Sequence, residues 1–243
     1  MLIFTLKREN FDGEKPIIED LPIWNYDGSS TNQAEGSDSE VLLKPVALYL
    51  DPFRREHKNY LVICETYNPN NTPTKTNSRY KALQIFNKYP NLEPMFGIEQ
   101  EFFISKNGTP IAFNNSNRLL PHPQKDYYCG VGGDNAIGRQ IVEEAFNNCL
   151  YSELPLTGLN AEVAPSQWEF QVCNTGIKAS DDLIALRYIT NRTFERYNLN
   201  MDISPKPVRG DWNGSGCHVN FSTNIMRQEN GYENILSAIK NLE

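Results

Sequence analysis

The sequence runs to 243 residues and includes 12 Phe, 12 Tyr and 3 Trp, enough to bury the core of one large domain or two smaller ones. Its 23 Lys and Arg against 30 Asp and Glu give a formal net charge of -7, and no basic stripe is present, which argues against a nucleic-acid partner. No apolar run reaches the length of a membrane span, and the opening Met1–Leu6 is too short for a secretory core and has no basic residue before it. Five scattered cysteines (Cys64, Cys129, Cys149, Cys173, Cys217), with no C-x-x-C pair, suit reduced thiols in a cytoplasmic compartment and speak against a thiolate zinc site.

Residues 1–20 alternate irregularly, and Thr5, Lys7 and Glu9 read as the polar face of a strand that starts at residue 1 itself. This suggests that a little sequence precedes it. In Trp24–Asn32, the run Asp27-Gly28-Ser29-Ser30 is strong turn chemistry, in either a plain surface loop or a functional one. Residues 40–50 and 60–66 are apolar strands joined through Asp51–Arg55. The Asn- and Pro-rich stretch 68–74 is a linker, so the expected domains are 1–72 and 73–243. Asn77 can cap a helix over 78–88, with Tyr80, Leu83 and Phe86 as its buried stripe.

The stretch Phe96-Gly97-Ile98-Glu99-Gln100-Glu101-Phe102-Phe103 then reads as a strand. Side chains alternate along a strand, so Glu99 and Glu101 share a face. At ~4 Å and an effective dielectric near 20, two such charges repel by about 4 kcal/mol. Either solvent separates them or a divalent cation turns the repulsion into attraction. A hairpin at Asn107-Gly108 follows, then a Pro- and Asn-rich loop over 114–126 and a Gly-rich entry to a helix near 135–150. Those glycines fit neither G-x-G-x-x-G nor the Walker pattern. Residues 158–173 read as two strands around a turn at Ala164-Pro165-Ser166. Glu162 is placed on the first, and Gln167, Glu169 and Gln171 form the polar face of the second. A helix is expected near 180–198, a strand over 216–222 with His218, Asn220 and Ser222 on its polar face, and a last helix from about 224.

Four strands thus share one pattern: apolar on one side, and on the other Glu99 with Glu101, Glu162, Glu169 with Gln171, and His218 with Asn220 and Ser222. A curved antiparallel sheet can gather these groups on one face. Four carboxylates and an imidazole, without thiolate, suit Mg²⁺ or Mn²⁺, and the charge suits two or more ions, as in phosphoryl-transfer sites.

In this order, Asn25-Tyr26-Asp27-Gly28-Ser29-Ser30, Phe96–Glu101, Tyr128-Cys129-Gly130-Val131-Gly132, Asn160–Gln171 and Asp211–His218 resemble glutamine synthetase of the eukaryotic-type class. The match covers nearly the whole chain, and five motifs in order make it specific. It implies an α+β fold: a small N-terminal β-grasp-like domain carrying Asp27, and a larger catalytic domain with a curved antiparallel sheet backed by helices. It implies ATP-dependent ligation of ammonia to L-glutamate through γ-glutamyl phosphate. Glu101, Glu162 and Glu169 would hold one ion, and Glu99 and His218 a second that bridges ATP phosphates. Asp211, Trp212, Asn213 and Gly214 would bind glutamate. The ATP site would be lined by Glu99, by Glu169, Phe170, Gln171, Val172, Cys173 and Asn174, and by Asn220, Phe221 and Ser222. Asp27 would take the proton from ammonium, reaching in from a neighbouring subunit of a ring-stacked homo-oligomer.

The family pattern extends beyond both ends of this sequence, and past Glu243 it supplies a further glutamate ligand, phosphate-clamping arginines and a flap glutamate. The expectation is therefore a catalytic domain incomplete at its C-terminus and impaired on its own. Beside the ligase stand two other readings: a non-catalytic assembly or regulatory subunit, and a ligase for an amine other than ammonia, which the intact Asp27–Ser30 turn disfavours.

Overall fold

The computed structural model describes residues 3–6, 16–56, 59–113, 124 and 126–242. By its internal contacts the chain divides into two units, Met1–Glu93 and Pro94–Glu243. Among the described residues, no helix is long and apolar enough to cross a membrane, and all five cysteines are free thiols.

The first unit is an antiparallel sheet of β1 (Ile3–Leu6), β2 (Trp24–Asp27), β3 (Glu40–Leu50) and β4 (Tyr60–Tyr67), in spatial order β1-β4-β3-β2. Every residue of β4 is buried, as its continuous apolar run implies for a central strand. Leu43, Val62, Cys64 and Leu21 form its core, joined by Ile18, Tyr26 and Leu48. Each large aliphatic side chain fully buried there contributes roughly 1.5–3 kcal/mol. Pro45 has no N–H to give the ladder, and the β3–β4 register shifts between Pro45 and Ala47. The expected polar-face residues Lys7 and Glu9 lie outside the described residues.

Helix α1 (Ser78–Lys88) is capped by the Asn77 side chain, which accepts from the Tyr80 amide at 3.0 Å. It belongs by its contacts to the first unit. Arg79 bridges buried Glu65 at 2.7 Å, and the Tyr80 ring meets Tyr67 edge-on at 6.3 Å. The expected stripe of Tyr80, Leu83 and Phe86 is half-buried rather than buried, because α1 carries no fully buried residue.

The second unit is built on β5 (Met95–Lys106), β6 (Thr109–Pro110), α2 (Arg139–Tyr151), β7 (Leu156–Ala161), β8 (Gln167–Thr175), α3 (Ile177–Glu195), β9 (Asn200–Asp202), β10 (Cys217–Ser222) and α4 (Tyr232–Lys240). The sheet runs β10-β5-β8-β7, all antiparallel, with β6 and β9 pairing the far end of β5. Asn107 (φ 51) and Gly108 (φ 75) make the expected β5–β6 turn, both left-handed as a two-residue hairpin requires. Helices α2 and α3 pack on one face of β5, β7 and β8. Phe170 meets Phe102 and Phe146 edge-on at 5.2 and 5.5 Å, and Phe102 meets Phe194 at 5.9 Å, so this face holds the core.

Three helix limits differ from the sequence reading. Helix α2 starts at Arg139, not near 135, since residues 132–138 are spent in turns that end on Gly138 at φ 88. Helix α3 starts at Ile177. Helix α4 starts at Tyr232 rather than 224, because residues 223–231 close as successive turns. Glu162 lies one residue past the end of β7, not on it. Strand β9 was unforeseen, and residues 114–123 and 125 of the expected loop lie outside the described residues. The expected apolar face of β10 is exposed: Val219 is 57% and Phe221 49% accessible, as suits an edge strand.

Candidate metal centre

Register builds the site. Glu101 pairs directly with Glu169 across the β5–β8 ladder, and Glu99 with Gln171. On the other side of β5, His218 pairs with Glu99. Directly opposed residues of an antiparallel pair point to the same side, so Glu99, Glu101, Glu169, Gln171 and His218 share the sheet face opposite the helices. The β7–β8 turn ends in Ser166 at φ 60 and returns Glu162 to the same spot, with the Glu162 amide donating to the Gln167 carbonyl at 2.9 Å.

Three carboxylates converge. Glu101, Glu162 and Glu169 are all buried, and each offers an oxygen within 4.8 Å of the others. Burial chiefly pushes the Glu162 and Glu169 carboxyls above the usual carboxylate range, and the neighbouring glutamates add to it. Such a cluster is unfavourable without a cation. Hard oxygen donors with no thiolate fit Mg²⁺ or Mn²⁺. The oxygens are also held in place: Glu162 accepts from Asn160 Nδ2 at 2.9 Å and from the Val163 amide at 3.0 Å. Glu169 accepts from Gln171 Nε2 at 2.7 Å. Glu101 accepts from the Gly216 amide at 2.9 Å and from Gln167 Nε2 at 3.2 Å.

A second, more open pair lies beside the triad. His218 Nδ1 stands 3.4 Å from Glu99 Oε2, and Asn220 Nδ2 donates to Glu99 Oε1 at 2.6 Å. Cys173 and Asn220 flank Gly97, so this face continues along the sheet past Glu99. Ser222 continues it and accepts from Arg227 at 3.0 Å.

Four of the expected nucleotide-lining side chains point elsewhere. Phe170 and Val172 are fully buried on the helix face. Asn174 donates to Asp182 of α3 at 2.7 Å, and the Phe221 ring packs on Phe96 at 5.4 Å. The reason is the two-residue period: each alternates with a residue of the carboxylate face.

The loop Asp211–Gly214 comes up to the triad. Trp212 meets Phe113 edge-on at 4.9 Å, the Asn213 side chain donates to Gln167 Oε1 at 3.1 Å, and the Gly214 carbonyl accepts from Gln167 Nε2 at 2.8 Å. Gln124 holds the loop's backbone from the other side, donating to the Asp211 carbonyl and accepting from the Asn213 amide at 2.6 Å. Gln167 was visible in the sequence as a member of the polar face, but nothing there marked the bonds it makes.

Asp27 belongs to the first unit and is exposed at the end of β2. Its carboxylate accepts from the Ser29 amide at 2.9 Å, Ser29 Oγ at 2.6 Å and Ser30 Oγ at 3.2 Å. The Ser29 hydroxyl, then its amide, hold Asp27 below the usual carboxylate range. Gly28 behind it is obligatory: a Cβ there would lie 2.4 Å from Val41 Cγ2.

A carboxylate cluster with the donor chemistry for a divalent cation, on an antiparallel sheet backed by helices, in a chain whose other unit forms a four-stranded antiparallel sheet among the described residues, defines the class: a two-domain α+β protein with a candidate metal centre. Sequence profiles agree. Residues 4–69 match the glutamine synthetase beta-Grasp domain, and residues 77–240 match the glutamine synthetase catalytic domain. The chain is 45% identical over 240 residues to a glutamine synthetase cytosolic isozyme of Pinus sylvestris, covering 98% of this chain and 67% of that one. It is 46% identical over 239 residues to glutamine synthetase of Mus musculus, covering 97% of this chain and 63% of that one. With glutamine synthetase cytosolic isozyme 1-5 of Arabidopsis thaliana it shares 49% over 227 residues, 92% of this chain and 64% of that one. The chain belongs to the glutamine synthetase family, the glutamate–ammonia ligases, and spans about two thirds of the length of these relatives.

Proposed function

We propose that this chain carries the ATP-dependent ligation of ammonia to L-glutamate, by way of γ-glutamyl phosphate. The observation that carries the proposal is the triad of Glu101, Glu162 and Glu169 within 4.8 Å, in a chain of this family. The triad would hold one divalent ion, and Glu99 with His218 a second. Bound there, such ions neutralise charge on the transferring phosphoryl group and on the glutamate carboxylate.

The chain's own residues position the substrates around these ions. The Asp211–Gly214 loop, held against the triad by Gln167 and Gln124, orients glutamate so that its side-chain carboxylate meets the γ-phosphate in line. Gln171, Cys173, Asn220 and Ser222 extend the same face toward the nucleotide, and Phe170, Val172, Asn174 and Phe221 support it from the opposite side. Asp27, kept ionised by Ser29 and Ser30, accepts a proton from ammonium so that neutral ammonia attacks the acyl phosphate. It does so across a subunit boundary in a homo-oligomer of stacked rings. The functional boundary between domains falls at residues 72/73, and the compartment is the cytoplasm.

The test is phosphate release from ATP with Mg²⁺. Release that requires both glutamate and ammonium, slower than that of a full-length relative, is the expected result. A folded protein that binds Mn²⁺ yet releases no phosphate overturns the proposal in favour of a non-catalytic role.

A further inference from the structure

Gln167 is 1% exposed, and its amide is saturated. Nε2 donates to Glu101 Oε2 at 3.2 Å and to the Gly214 carbonyl at 2.8 Å, while Oε1 accepts from Asn213 Nδ2 and from the Ala164 amide, each at 3.1 Å. An amide has two N–H groups and two lone pairs, and all four are used. The same residue's backbone closes the turn: its amide donates to the Ala164 carbonyl at 3.1 Å and its carbonyl accepts from the Glu162 amide at 2.9 Å. One buried side chain thus touches a triad carboxylate directly, fixes the turn that delivers a second, and holds the Asn213–Gly214 loop.

This arrangement has a chemical consequence. The Glu101 oxygen that accepts from Gln167 also accepts from the Gly216 amide at 2.9 Å, so Gly216 is tied to Glu101 directly and Gly214 through Gln167. A cation drawing on Glu101 Oε2 competes with those donors, and the change is passed to the loop through a rigid amide with no slack. We infer that Gln167 is a positioning residue that couples cation occupancy of the Glu101–Glu162–Glu169 triad to the placement of the Asp211–Gly214 loop. The inference rests on the metal reading proposed above. Outer partners of metal ligands typically matter by 10–100-fold in metal affinity, and here the same partner also reaches the loop.

Trp212 lies on that loop and reports on it. In protein labelled with 5-fluorotryptophan, the ¹⁹F resonance of Trp212 (assigned with Trp212→Phe) is followed as Mg²⁺ is added, and Mn²⁺ affinity is measured by calorimetry without nucleotide or glutamate. Gln167→Met keeps the volume and removes all four bonds. Thr193→Val is the control for lost stability: Thr193 is a buried partner of Asn148 at 2.9 Å on the helix side, outside the site. The wild type and Thr193→Val are expected to show a Mg²⁺-dependent Trp212 shift. Gln167→Met is expected to lose it even at saturating Mg²⁺, with Mn²⁺ affinity about 10-fold weaker or more. A Trp212 shift retained in Gln167→Met, or lost equally in Thr193→Val, overturns the inference. A wild type that binds neither ion overturns instead the metal reading beneath it.

Discussion

Glu101 and Glu169 stand directly opposite one another on adjacent strands, two buried carboxylates on one side of the sheet with Glu162 closing the third corner. A like-charge pair in this register destabilises a sheet, so the metal-free protein is held together in spite of its site. Glu169→Gln keeps the shape and removes one charge. The metal-free variant is expected to melt a few degrees higher than wild type, at about 2–4 °C per kcal/mol for a chain this size. Its Mn²⁺ affinity should fall at least ~10-fold. Calorimetric melts with and without Mn²⁺ read both; a variant less stable than wild type without metal contradicts the repulsion.

Asp27 provides the pH dependence. Its folded-state carboxyl is lowered by the Ser29 hydroxyl and amide. Between that lowered value and the ordinary one, the unfolded chain binds a proton that the folded chain does not. The contribution to stability is therefore present above the ordinary carboxylate range and is lost as pH falls through the folded value. Ser29→Ala is expected to move the Asp27 titration upward, as followed by carboxyl ¹³C NMR, while the rest of the first unit titrates unchanged. An unmoved titration would show that Ser29 does not hold the charge.

Gly214→Ala tests the loop. A methyl there would lie 2.5 Å from the Pro205 carbonyl oxygen, a backbone atom that also accepts from the Ser215 amide at 3.1 Å. The loop must shift, and the Gly214 carbonyl leaves Gln167. Displacing a substrate-positioning element by about 1 Å can cost ~10²-fold in rate. The expected outcome is a loss of that order in kcat/KM for glutamate with the KM for ATP little changed. Equal losses for both substrates would place the loop's role elsewhere.

Phe170→Ala tests the support under the site. Phe170 is fully buried between Phe102 and Phe146, and it follows Glu169 in the chain. Removing a buried ring of this kind costs about 3–5 kcal/mol. Hydrogen exchange should quicken through β5, β8 and α2, and leave β3 and β4 of the first unit unaffected. Protection lost uniformly across both units would contradict the division at Glu93 and Pro94.

Much of the site could be read before the structure, because strand alternation is a local rule. Glu99 with Glu101, Glu169 with Gln171, and His218 with Asn220 and Ser222 each follow from a period of two. The same rule places the side chains of Phe170, Val172, Asn174 and Phe221 on the opposite side of the sheet, where they are found. The limits of α2 and α4 were less legible. Residues 132–138 and 223–231 fold as turns through their own backbone bonds, which an apolar stripe read further along each helix does not delimit.

By itself, the sequence determined the class of the protein, the two-part architecture, the identity of the charged residues and the face each occupies on its own strand, since these depend on composition, motif order and local periodicity. Only the tertiary structure decided which strands are neighbours and in what register. That choice set Glu101 against Glu169, brought Glu162 back from past the end of β7, left Glu99 with His218 as a separate pair, and made Gln167 the link to the Asn213–Gly214 loop. Pairing depends on how β8 and β10 line up against the two edges of β5, an interaction between residues as far apart as Gln100 and Gly216, which no local pattern encodes.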